Sequence, residues 1–155
     1  MKSRDVFENF IENNLDSCFR FAYTYVKNKE AAEDIVSDSV LKALKSIHTL
    51  KDSAKVKPWF FRIIANTALN DIRSRKKLAS LDEAAMSAVN HKEDDYSRVT
   101  LESMFRCLPG NLCEVVTLRF FEDMTIPEIS QVTGVNENTV KSRLYRALDM
   151  LKKTL

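Results

Sequence analysis

The chain has 155 residues, enough for one domain or two small ones, and 45% of them are hydrophobic. Two glycines and three prolines leave little for β-hairpins or glycine-rich phosphate loops and favour helices. The net charge of +2 is uninformative in bulk, but residues 1–77 carry 15 basic and 10 acidic side chains, residues 78–97 one and five, and residues 98–155 eight and seven.

In chain order, apolar residues recur at helical spacing from Ser3 to about Val26 (Val6, Phe7, Phe10, Ile11, Leu15, Phe19, Ala22, Tyr23, Val26), predicting a first helix. After "KNKE", a second is predicted from about Glu30 to Ile47 on Ile35, Val36, Val40, Leu44 and Ile47. The polar run "TLKDSAKVKP" ends in Pro58, a residue suited to a first helical turn, so a third helix is expected from there to about Lys77. Residues 78–97 are acidic, rich in small residues and without an apolar face, which reads as a flexible linker. Two further helices punctuated by Pro109-Gly110 follow, and no strand alternation is found. The expected fold is all-α: two small helical domains, 1–77 and 98–155, on either side of the acidic linker.

The stretch "MTIPEISQVTGVNENTVKSRLYRAL" reads as a helix-turn-helix. Thr125 and Glu128 form a capping-box pair, and Pro127 lies in the first turn where its missing N–H does no harm. Gly134 supplies a left-handed C-terminal residue, and Asn136 is an N-cap for the next helix. With 100° per residue and Val140 at zero, Leu144, Leu148 and Leu151 fall at about 40°, 80° and 20° and are expected to face the core. Asn138, Ser142, Tyr145, Arg146 and Asp149 lie opposite, flanked by Lys141 and Arg143. Such a face suits a major groove: arginine grips guanine in a bidentate manner, and Lys and Ser contact bases or phosphates.

The third helix carries a second polar face. Arg62, Asn66, Asn70, Arg73 and Lys77 recur at +4, +4, +3 and +4 within about 80° of one another, opposite an inward stripe of Phe61, Ala65, Ala68 and Ile72. Interior asparagines are poor helix formers, so a polar face of this kind points to nucleic acid. Which of Trp59, Phe60 and Phe61 is core, and which abuts an unstacked base, is left open by the pattern.

Catalytic chemistry finds no support. Cys18, Cys107 and Cys113 follow no metal spacing, His48 and His91 are isolated, and no nucleophile–base pair or phosphate loop is present. No cofactor, no metal and no small-molecule substrate are expected, and the N-terminus lacks a signal-like apolar region, which reads as cytoplasmic.

"PWFFRIIANTALNDIRSRKK" resembles the W-L-x-R-I-A-x-N-x-x-x-D-x-x-R signature of the extracytoplasmic-function (ECF) sigma factors of the sigma-70 family. "EAAEDIVSDSVLKAL" resembles the preceding helix of that family, and "LPGNLCEVVTLRFFEDMTIPEISQVTGVNENTVKSRLYRALDMLKK" its C-terminal domain. The departures are Ser37 for the usual Gln, Val40 for Phe, Phe60 for Leu, and Ile64 at a commonly small position. The resemblance implies binding to core RNA polymerase and direction of it to promoters. The N-terminal domain would bind the polymerase clamp through the helix bearing Asp34, Asp38 and Lys42, and would melt the −10 element with Asn66 and Asn70. The "KDSAKVK" loop would hold a flipped base, and the C-terminal domain would read the −35 element with Lys141, Ser142 and Arg146. It also implies restraint by an anti-sigma factor on a separate chain. The rival reading, a stand-alone helix-turn-helix regulator, explains residues 124–151 equally well but leaves the Arg62–Lys77 face and the acidic linker unexplained.

Overall fold

A computed structural model describes residues 2–81 and 108–154. Among the described residues there are six α-helices: α1 (Ser3–Val26), α2 (Lys29–Lys45), α3 (Val56–Leu81), α4 (Gly110–Val116), α5 (Ile126–Thr133) and α6 (Glu137–Thr154). Among the described residues there is no strand.

Helices α1, α2 and α3 pack on one another as a three-helix unit. Lys27 ends α1 in a left-handed conformation at φ 50°, and Asn28 then caps α2 by accepting the Ala31 N–H at 2.9 Å. Short 3₁₀ turns at Ile47–Thr49 and Ser53–Lys55 lead into α3. Asp52 accepts the Ala54 N–H at 3.0 Å, so α3 starts at Val56 and Pro58 falls at its third position rather than its first. At its other end α3 runs to Leu81, four residues past the expected stop, because "LASL" contains no Gly or Pro to end it. The acidic segment beyond Leu81, together with Cys107, His91 and the helix expected before Pro109, lies outside the described residues.

Phe60 and Phe61 are both fully buried. Phe61 stacks on Phe21 with ring centroids 5.0 Å apart, and Phe7 meets Phe60 at 5.0 Å. Trp59 is half-buried, edge-on to Phe7 at 5.7 Å, with its indole N–H donated to Thr49 Oγ1 at 2.9 Å. Phe60 fills its core position against two rings of α1, Phe7 and Phe10, at 5.0 and 6.2 Å.

The second unit comprises α4, a π-helical continuation over Thr117–Phe121, and the helix-turn-helix of α5 and α6. The capping box is complete. Thr125 Oγ1 accepts the Glu128 N–H at 3.3 Å, and Glu128 Oε1 accepts the Thr125 N–H at 2.9 Å. Gly134 closes α5 at φ 77°, and Asn136 Oδ1 accepts the Thr139 N–H at 2.8 Å to start α6. Ser130 Oγ donates to Val135 O at 2.6 Å and ties the turn to α5.

One expected core position is wrong. Leu148 is 42% exposed, and Ala147 is buried in its place beside Val140 and Leu144. On the wheel Ala147 falls at about −20° and Leu148 at about 80°, so the stripe follows the angle and not side-chain size.

The two units share one continuous cluster of buried side chains. It runs from Phe7, Phe21 and Phe61 to Leu112, Val116, Leu118, Ile129 and Val140. The sequence gives no hint of this: each apolar stripe reads as sufficient for its own unit.

Candidate nucleic-acid interface

On α3 the five polar residues singled out, Arg62, Asn66, Asn70, Arg73 and Lys77, are all exposed, while Phe61, Ala65 and Ala68 opposite them are buried. From Arg62 to Lys77 the face spans 15 residues, about 22 Å at 1.5 Å per residue. Its C-terminal end is cationic, with Arg73 and Lys77 exposed on the face and Lys76 exposed at its flank, while Arg75 lies on the other side of α3 and pairs with Asp71 at 3.0 Å. Arg62 is engaged elsewhere, since its Nη1 donates to Gln131 O near the C-terminus of α5. That carbonyl lies at the negative end of a helix, so the guanidinium is well placed for it.

On α6, Asn138, Lys141, Ser142, Tyr145 and Arg146 are exposed on the side opposite Val140, Leu144 and Ala147. Tyr145 is 74% exposed, a large aromatic surface in the middle of a polar face. Asp149 pairs with Lys153 at 3.6 Å one turn on. Arg143 departs from the group. It is half-buried, and its charge acts on the buried Glu114 of α4.

On α2, Asp34 and Asp38 are exposed one turn apart. Lys42, which continues their face, reaches α3 and donates to Thr67 Oγ1 at 3.3 Å. The exposed Leu41 borders this face.

Sequence reasoning missed a polar seam between the units. Tyr25 of α1 donates its hydroxyl to Glu114 Oε2. Burial raises the Glu114 carboxyl above its usual range, against the opposing effects of Tyr25 and Arg143. Burial, together with the Glu114 charge, likewise pushes the Tyr25 hydroxyl up. Lys57 of α3 donates to Glu122 O at 3.0 Å and stands 3.9 Å from the carboxylate of Glu122. Cys18 lies beside this pair, its thiol pushed up to about 12, first by burial and then by the Glu122 charge. Arg20 covers the Phe121 ring at 5.1 Å. One signal was available in the sequence: in "LCEVV" an acid interrupts an apolar run, which a solvated helix face would not require.

The sigma-70 region 2 family model matches residues 10–78, and the sigma-70 region 4 model matches residues 98–151. The RNA polymerase sigma factor SigV of Bacillus subtilis is 38% identical over 143 residues, which cover 92% of this chain and 86% of that protein. The chain belongs to the ECF sigma factors of the sigma-70 family. The ECF sigma factor SigM of the same organism is 29% identical over 89% of this sigma factor and 88% of its own length. Among solved structures, the sigma factor RpoE in complex with the anti-sigma factor NepR from Bartonella quintana superposes with a TM-score of 0.80. It is 21% identical and covers 95% of this chain and 94% of its own, a likeness of fold. No helix among the described residues is long and apolar enough to cross a membrane, and no cluster of three or more metal-ligating side chains occurs among them.

Proposed function

We propose that this sigma factor divides promoter recognition between its two polar faces. Residues 1–77 form the unit that binds core polymerase and captures the −10 element. Residues 98–155 form the unit that reads the −35 element. The observation that supports the division is the pairing of two exposed polar helix faces, each backed by a buried apolar stripe, inside a region 2 match and a region 4 match.

On α6 the donors are those that major-groove recognition needs. Arg146 and Lys141 suit guanine edges or phosphates, Ser142 and Asn138 either, and Tyr145 an apolar contact with a thymine methyl. Arg143, half-buried on the flank of this face, is less open to DNA than its neighbours. On α3, Asn66 and Asn70 supply paired donors and acceptors for the edges of unstacked bases, and Arg73 and Lys77 neutralise phosphates. Unstacking costs a few kcal/mol per base, which contacts to the extruded base must offset. Asp34 and Asp38 form the polymerase-binding face. Lys42 holds that face against α3.

A sigma factor of this kind acts in the cytoplasm by binding and release and has no catalysis of its own. The solved relatives RpoE and CnrH are each bound to a partner, NepR and the cytosolic domain of CnrY. An anti-sigma factor on a separate chain is the partner that restrains this one. Run-off transcription with core polymerase and this chain, followed by mapping of start sites, tests the reading. Transcripts starting at fixed positions downstream of a shared pair of elements are expected. Binding to an operator duplex with no effect on initiation would instead favour the stand-alone regulator.

A further inference from the structure

We propose that Leu69 is a specificity-determining residue of the α3 face, an apolar contact for the 5-methyl group of one unstacked thymine in the −10 element. The proposal rests on the division of roles given above and adds a base preference to it.

From Arg62 to Lys77 the apolar side chains of α3 are Ile63, Ile64, Ala65, Ala68, Leu69 and Ile72. Leu69 alone of these is exposed, at 37%, and the others are buried or half-buried. It takes no part in the buried cluster, whereas Ile63 packs against that cluster. With Arg62 at zero on the helical wheel, Leu69 falls at about −20°, beside Arg73 at about 20° and Asn66 at about 40°. Asn66 stands three residues before it and Arg73 four residues after, the spacings at which helix side chains meet on one face. Ala65, the nearest buried position at about −60°, is too short to cover the leucine. The face therefore carries an apolar spot between an amide and a guanidinium.

Base edges offer hydrogen-bond donors and acceptors almost throughout, and the 5-methyl of thymine is the apolar exception. Asn66 can pair with the polar edge of an extruded base and Arg73 with a phosphate beside it. Leu69 can do neither, and a polar edge laid against it would lose its water without gaining a partner. Adenine and guanine present the N7 acceptor, and cytosine has no methyl to cover. Thymine alone gains from the contact, by about fourfold in affinity, the equivalent of one carbon group removed from water. Folding does not ask for leucine here, since an exposed helix position accepts alanine at no cost in propensity.

The test uses core polymerase with the full chain as wild type, Leu69→Ala and Leu69→Met. The probe is a fork: duplex DNA from upstream of a start site mapped by run-off transcription, followed by a non-template single strand randomised over the −10 element. Bound strands are sequenced. Wild type should enrich thymine over cytosine about fourfold at one position. Leu69→Met should keep that preference, and Leu69→Ala should lose it while keeping the base preferences at other positions. Replacing that thymine by deoxyuridine, which removes only the methyl, should weaken wild-type binding about fourfold and leave Leu69→Ala unchanged. Absence of an enriched thymine, equal weakening of both proteins by deoxyuridine, or a Leu69→Ala variant that binds every sequence less well by one common factor would overturn the assignment to Leu69. A fork bound with no base preference anywhere in the randomised segment would refute the −10 role of α3 itself, and this contact with it.

Discussion

Lys57→Met tests whether the seam exists in solution, and its size can be worked out in advance. Two interactions are lost. The first is the hydrogen bond from Lys57 Nζ to Glu122 O at 3.0 Å, worth about 1 kcal/mol net. The second is charge compensation for a carboxylate whose side chain is 1% exposed. Neither Glu122 oxygen has a hydrogen-bond partner among the described residues, and Cys18 beside it stays a neutral thiol at pH 7. Removing one member of a fully buried pair costs about 3–5 kcal/mol, and of an exposed pair about 0–1. The Lys57 side chain is 33% exposed, which places this loss between the two, at about 2 kcal/mol. The sum of about 3 kcal/mol corresponds to a fall in Tm of about 6–12 °C for a chain of this size. In a Glu122→Gln background only the backbone hydrogen bond remains to be lost, so Lys57→Met there should cost about 1 kcal/mol. Thermal and urea unfolding of the four proteins closes the cycle. Equal costs in both backgrounds, or a cost near zero in the wild type, would refute the reasoning, because an open chain leaves Lys57 and Glu122 solvated and apart.

Two further outcomes follow from the geometry. Gly134→Ala should destabilise the protein by about 1 kcal/mol through its left-handed backbone alone: the added methyl would lie 3.8 Å from Arg62 Nη1, an ordinary contact, so a loss much above 3 kcal/mol would contradict it. Stability should also respond to pH through Glu114, which faces Tyr25 of α1, Arg143 of α6 and Cys113 on its own helix. Its carboxyl is raised in the folded chain relative to the ordinary value of 4.5, so the folded chain holds a proton that the unfolded chain has already released. The stability this contributes is present below the ordinary value and is lost as pH rises through the raised one. Urea midpoints taken across that rise should fall, and Glu114→Gln should abolish that dependence.

The helix-turn-helix was legible because its signals are local. Thr125 with Glu128, Gly134 and Asn136 each act within a few residues, and each takes the expected role in the structure. The α3 stripe was legible for the same reason. Leu148 was misplaced because hydrophobicity was allowed to outweigh angle, whereas Ala147, small but nearer the centre of the stripe, is the buried residue. The start of α3 moved from Pro58 to Val56 because Asp52 supplies a turn that proline did not need to begin. The seam was illegible for a different reason: Tyr25 and Glu114 are 89 residues apart, and nothing in either local pattern names the partner. Arg62 shows the same limit. Its spacing places it on the polar face of α3, but only the packing of the units reveals that Gln131 O takes its hydrogen bond.

The measurement that bears most directly on two distinct DNA faces compares Asn66→Ala and Arg146→Ala on two promoter templates, one fully duplex and one already mismatched across the −10 element. Transcription is read with core polymerase and each variant. Arg146→Ala should lose about 1–3 kcal/mol of recognition, roughly five- to 150-fold, on both templates, because a major-groove contact is unaffected by melting downstream. Asn66→Ala should fail on the duplex and recover on the mismatched template, where the bases are already unstacked. Rescue of Asn66→Ala without rescue of Arg146→Ala is the expected result; the same behaviour of both variants on both templates would contradict separate roles for α3 and α6.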